Sequence, residues 1–154
     1  MDAVVNAANS QLTSGGVAGA LHNKAGPELS KAGQKYAPLS AGDVVMTPAF
    51  NLPNSYVIHC LSPIYGKDHP EDQLLSSCYR QALRLANENQ LEGVTFPAIS
   101  TGAFSFPFKD AMELALSVVF NLLPTLENVK RVRFVLFSEE EKNKYVQSLQ
   151  TKLY

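Results

Sequence analysis

Residues 3–19 read AVVNAANSQLTSGGVAG, and this stretch decides the fold. Ala3 to Ala7 is apolar without alternation, which predicts a short strand covered on both faces of a sheet. Two asparagines follow, Asn6 and Asn9, and then the small-residue run Ser14-Gly15-Gly16-Val17-Ala18. From Val17 to Ala25 the spacing turns helical, with Val17, Leu21 and Ala25 on one stripe, and Gly26-Pro27 ends it. A buried strand running through a glycine-containing loop into a helix is an α/β signature.

Strand and helix patterns alternate outward from there. Strands are expected at 43–47, 55–60, 94–99 and 132–137, with a Pro53-Asn54 turn between the first two. Helices are expected at 28–36, 70–89, 110–123 and 139–153. The 70–89 helix buries Leu74, Leu75, Cys78, Ala82, Leu85 and Ala86, and carries Glu71 and Asp72 at the end of the dipole that favours acids. No linker, repeat or low-complexity run divides the chain, so residues 1–154 are expected to form one domain.

Composition narrows the function. The chain is 45% hydrophobic and 18% charged, which excludes disordered and collagen-like classes. A formal net charge of −1 with no basic block argues against a nucleic-acid surface. It leaves room for a small polyanion, because backbone amides bind phosphate without Lys or Arg. The two cysteines, Cys60 and Cys78, lack metal-ligand spacing and are expected to be buried reduced thiols. No cofactor and no metal are expected. Neither a leader pattern nor a long apolar run is present, so the expected setting is the cytoplasm or nucleus, with no membrane partner. No exposed apolar stripe is evident, and a monomer is expected.

In open α/β sheets, ligands bind beyond the carboxyl ends of the strands. Two segments fall there: residues 6–19, and Ser100-Thr101-Gly102-Ala103-Phe104-Ser105-Phe106-Pro107. Each follows an apolar strand and leads into a helix, which places backbone N–H groups and a helix N-terminus around one cavity, a setting suited to phosphate. Gly15 and Gly16 permit close backbone approach, and Ser100 and Thr101 add hydroxyl donors. Neither loop matches the P-loop or the dinucleotide-binding fingerprint. A Gly-Gly pair alone is more often only a turn; two such loops at one sheet end point to a diphosphate.

The asparagines divide by position. Asn6, nearer the strand, is assigned to the architecture of the turn, and Asn9 to a ligand, since a carboxamide suits sugar hydroxyls beside a phosphate. The other conspicuous side chains read as structural. His22 and His59 are expected to be satisfied architectural histidines and His69 an exposed loop residue. Phe106 and Phe108 are expected to pack in core or loop, Met112 and Leu116 in a helix core, and Glu139-Glu140-Glu141 to form a first helical turn.

Together, ValValAsnAlaAlaAsnSer, GlyGlyValAla and PheProAlaIleSerThrGly with an aromatic two residues on strongly resemble the macro domain, the ADP-ribose-binding module. The likeness continues through AlaGlyProGlu at 25–28, ValIleHisCysLeuSerPro at 57–63 and ValArgPheValLeuPhe at 132–137. It implies a three-layer αβα sandwich with a mixed, mostly parallel sheet. It also implies that Asn9 contacts the distal ribose, that Ser14, Gly15, Gly16, Val17 and Ala18 form one diphosphate loop, and that Ser100, Thr101, Gly102, Ala103 and Phe104 form the other. Phe104 would pack on the distal ribose, and Phe137 stands where the family often stacks an aromatic near adenine.

Three departures bear on activity. One branch of ADP-ribosyl hydrolases in this family carries an aspartate where this chain has Ala18. Ser14 and Ser105 stand where glycines are common, and Ser14 limits positive φ. The family also normally has a strand before this start, ending near an adenine-binding aspartate; that strand is expected to be missing, and Asp2 does not match the aspartate's motif. Two activities remain: a reader of free or protein-linked ADP-ribose, or a hydrolase or O-acetyl-ADP-ribose deacetylase using Asn9, Gly16 and Phe104 to position water with help from the substrate's phosphate.

Overall fold

The computed structural model describes residues 2–8, 23–99 and 105–153. Five strands, β1 (Ala3–Ala7), β2 (Val44–Pro48), β3 (Tyr56–Cys60), β4 (Gly93–Pro97) and β5 (Arg131–Val135), form one sheet in the order β2-β3-β1-β4-β5. Only β2 and β3 pair antiparallel; β3, β1, β4 and β5 run parallel. The expected mixed, mostly parallel sheet is therefore present, and its order emerges only in three dimensions.

Among the described residues four full helices pack around it: α1 (Pro27–Gln34), α2 (Glu71–Glu88), α3 (Phe108–Leu122) and α4 (Glu139–Leu153). Alternation along the strands sorts the layers. Ala3 and Val5 of β1, Ile58 and Cys60 of β3, and Val94 and Phe96 of β4 share one cluster with α2 and α3. Val57, one residue out of phase, joins Ala25, Leu29 and Ala49 on the α1 side. Such two-sided burial is why β1, β3 and β4 read as continuous apolar runs.

Helix α2 carries the thickest part of the core. Leu75, Cys78, Tyr79, Ala82, Leu83 and Ala86 are all buried, a helical stripe along its inner face. Each fully buried Leu contributes about 1.5–3 kcal/mol. An aromatic series ties the layers together: Tyr79 of α2 lies 5.0 Å from Phe96 of β4, Phe96 lies 5.9 Å from Phe134 of β5, and Phe134 lies 5.2 Å from Tyr145 of α4.

Element ends differ from the sequence reading by one or two residues. Helix α1 begins at Pro27 rather than Glu28, since proline suits the first helical position. Helix α3 starts at Phe108, after Pro107, instead of at Asp110. Strand β4 stops at Pro97 and β5 at Val135, so Ile99 and Phe137 lie beyond their strands. Of the helix expected over 17–25, the described residues 23–25 are helical and Gly26 closes them at φ +95°.

One expectation fails. The sequence suggests no exposed apolar stripe, yet α3, β5 and α4 leave a groove of about 520 Å³ lined by Leu116, Phe120, Phe134, Leu136, Val146 and Leu149 among others. Only Tyr145 of the described α4 side chains is buried, so the helix covers the β5 side of the core only in part. No described helix is long and apolar enough to cross a membrane.

Candidate functional site

The sheet changes direction at β1. Leaving β1, the chain builds β2 and β3 on one side, then crosses to build β4 and β5 on the other. The crevice of an open α/β sheet lies at such a switch, outside the carboxyl ends of the strands. β1 follows β3 through Ala7↔Cys60, and the N–H of Ala8 still reaches the Cys60 carbonyl at 2.9 Å. Against β4, pairing stops after Val4↔Thr95. Beyond that point no further β1–β4 pair forms, and the two glycine-containing segments of the sequence follow the ends of these two strands.

Asn6 lies past the last β1–β4 pair, and its role differs from the sequence reading. It belongs to β1 itself and does not build a turn. The residue is 1% exposed, and its Nδ2 donates to Nδ1 of the fully buried His59 at 3.1 Å. His59 Nε2 lies 2.9 Å from Thr47 Oγ1, whose hydroxyl donates to the Pro48 carbonyl. These contacts fit a neutral imidazole with its proton on Nε2. Three polar side chains from β1, β3 and β2 thus form one line under the carboxyl end of the sheet. The sequence carried a trace of it: Asn6 and His59 are each the penultimate residue of an apolar strand, and so stand side by side in parallel register.

Of the candidate ligand residues, Asn9, Ser14, Gly15, Gly16, Val17 and Ala18, together with Ser100, Thr101, Gly102, Ala103 and Phe104, lie outside the described residues, as does His22. Their flanks are described. Ala8 is buried with Leu39 and Leu61, and Ile99 lies in the main core. After the second segment, Ser105 adopts φ +63°, the left-handed conformation that glycine takes without strain. Phe106 is buried and meets Tyr65 edge-on at 5.1 Å, the packing role expected of it.

Phe137 is described and is 96% exposed. Its backbone is held firmly: the Phe137 N–H donates to Glu141 Oε1 at 3.2 Å, and the Glu141 N–H donates to Ser138 Oγ at 3.2 Å. This reciprocal cap starts α4 and explains the Glu139-Glu140-Glu141 run. An aromatic ring therefore stands free just beyond β5, the neighbour of β4.

Several of the other described titratable groups serve the scaffold. Cys60 and Cys78 are buried and free, Cys78 donates to the Leu61 carbonyl at 3.3 Å, and burial pushes the Cys60 thiol well above its ordinary pKa. A thiol held protonated is no nucleophile. His69 is exposed and pairs with Glu71 at 2.7 Å. Asp2 sits at the amino end of β1, the far end from the crevice, where Oδ2 accepts the N–H of Glu92 and of Gly93. Among the described residues no cluster of His, Cys, Asp or Glu has the makings of a metal site.

The fold is a three-layer αβα domain whose strand order reverses at β1, where pairing with β4 ends after Val4↔Thr95. The Macro domain family profile matches residues 5–115, and the chain belongs to that family. A macro domain-containing protein of Caldanaerobacter subterraneus subsp. tengcongensis is 45% identical over 94% of this chain and 86% of its own length. An O-acetyl-ADP-ribose deacetylase of Escherichia fergusonii is 41% identical over 94% of this chain and 85% of its own. Among solved structures, a mutant of the Oceanobacillus iheyensis macrodomain with ADPR superposes with a TM-score of 0.93 at 37% identity, covering 99% of this chain and 86% of that one.

Proposed function

We propose that this chain, a single macro domain over residues 1–154, binds ADP-ribose, free or attached to a protein. The observation that carries the reading is the end of β1–β4 pairing after Val4↔Thr95, at the switch point that both small-residue segments follow. Ser14–Ala18 and Ser100–Phe104 cradle the diphosphate with backbone N–H groups. Asn9 and Phe104 take the distal ribose, and the free ring of Phe137 stacks on adenine. The solved relative with ADPR supports the ligand.

The second reading is hydrolysis, favoured by the E. fergusonii deacetylase at 41% identity. Asn9, Gly16 and Phe104 would then hold water near the distal ribose, with the substrate's phosphate as base in the absence of a carboxylate at Ala18. One experiment separates the readings. A mono-ADP-ribosylated protein and O-acetyl-ADP-ribose are each incubated with the chain and followed for released ADP-ribose and acetate. Release that is lost in Asn9→Ala establishes the enzyme. Retention of ADP-ribosylated protein with no release establishes the reader, and neither retention nor release overturns both.

A further inference from the structure

Strand β5 ends the sheet: among the described residues it pairs with β4 alone, so its outer edge has no strand partner. Its two side-chain rows differ in character. Val132 and Phe134, with Leu136 just past the strand, line the apolar groove of about 520 Å³ whose other walls are α3 and α4. Phe120 of α3 and Val146 and Leu149 of α4 border the same groove and are exposed. Arg131 and Arg133 make up the other row; both are exposed, and neither is ion-paired with a described carboxylate. Contiguous apolar exposure beside a free strand edge is a setting in which an extended chain docks. A strand added there continues the pleat, so alternate side chains fall on the face of Val132 and Phe134 and the rest fall beside the arginines. We propose that the β5 edge and its groove receive an extended polypeptide segment in which apolar and acidic side chains alternate. The apolar row fills the groove, the acidic row meets Arg131 and Arg133, and the backbone extends the ladder. Charge selects this occupant over a second copy of the chain. A two-fold antiparallel pairing of β5 with β5 centred on Arg133 sets each Arg133 against the other. The surface uses no residue of the proposed ADP-ribose site.

The test uses three fluorescently labelled peptides on the intact chain, read by anisotropy. One carries the central run Ile-Glu-Val-Glu-Ile, the second has Lys in place of each Glu, and the third keeps the first composition as Ile-Val-Ile-Glu-Glu. The alternating acidic peptide is expected to bind saturably, about tenfold tighter than the other two, and to slow amide hydrogen exchange along β5. Arg133→Glu is expected to weaken the acidic peptide about tenfold and to favour the lysine peptide, because a like charge then replaces an opposite one. Leu149→Asp, at an exposed position of α4, is expected to remove binding by charging the groove wall; should that variant melt low, Leu149→Ala is expected to weaken binding in the same direction. Equal binding of all three peptides overturns the proposal as unselective apolar adhesion. Binding indifferent to Arg133→Glu overturns it too, and leaves the arginines as guards against edge pairing. A concentration-dependent dimer in sedimentation that Leu149→Asp dissolves gives the surface to a second copy and overturns it, as does the absence of saturable binding by the alternating acidic peptide.

Discussion

The carboxylate of Asp2 accepts the backbone N–H of Glu92 at 2.8 Å across 90 residues of chain, and that of Gly93 at 3.1 Å. This clamp joins the starts of β1 and β4, the end at which the two strands stay paired. The two N–H donors hold the Asp2 carboxyl below its ordinary pKa.

A pH dependence follows from its sign. A carboxylate whose folded pKa is depressed stabilises the fold fully above its unfolded pKa, about 3.9, and loses that contribution as pH falls through the folded value. Asp2→Asn is expected to flatten the acid limb of stability below about pH 4. Urea midpoints measured across acid pH check this, and superimposable limbs in the two proteins would refute it.

Gln90 ends α2 in the left-handed region at φ +61°, with its N–H on the Asn87 carbonyl and the Leu91 N–H on the Ala86 carbonyl. This is the helix stop that glycine serves best. Gln90→Gly is expected to stabilise the chain by up to about 1 kcal/mol, since the relief of left-handed strain exceeds the entropy cost of glycine. A rise in the urea midpoint at constant slope is the readout. A fall would mean that the Gln90 side chain makes a contact outweighing its backbone strain.

Phe137 contributes almost nothing to packing, being 96% exposed, so Phe137→Ala is expected to leave the melting temperature in place. If the ring stacks on adenine, the same change lowers ADP-ribose affinity about three- to tenfold, the worth of one aromatic pair. Calorimetry of that variant with ADP-ribose and with ribose 5-phosphate, which has no base, separates the effects. Equal loss for both ligands would place the ring's influence elsewhere.

The sequence revealed those features whose cause is local. Apolar runs such as Ala3–Ala7 and Tyr56–Cys60 announce strands covered on both faces, and the stripe from Leu75 to Ala86 announces α2. The Glu139-Glu140-Glu141 run announces the first turn of α4. What stayed hidden depends on neighbours far along the chain. Asn6 looked like a turn residue because nothing nearby marks His59 as its partner, 53 positions on. The open groove beside α4 was equally hidden, because Val146 and Leu149 have helical spacing whether or not a layer covers them. The Ser105 backbone lay between: its place in a glycine-bearing loop was visible, but its φ of +63° was not.

Calorimetric titration of ADP-ribose into the wild-type chain and into Gly16→Glu tests the central claim most directly. The account predicts saturable one-site binding to the wild type. It predicts loss of that binding in Gly16→Glu at an unchanged melting temperature, because a carboxylate then opposes the diphosphate. A wild-type chain that shows no binding, or a folded Gly16→Glu variant that binds as well as the wild type, would contradict it.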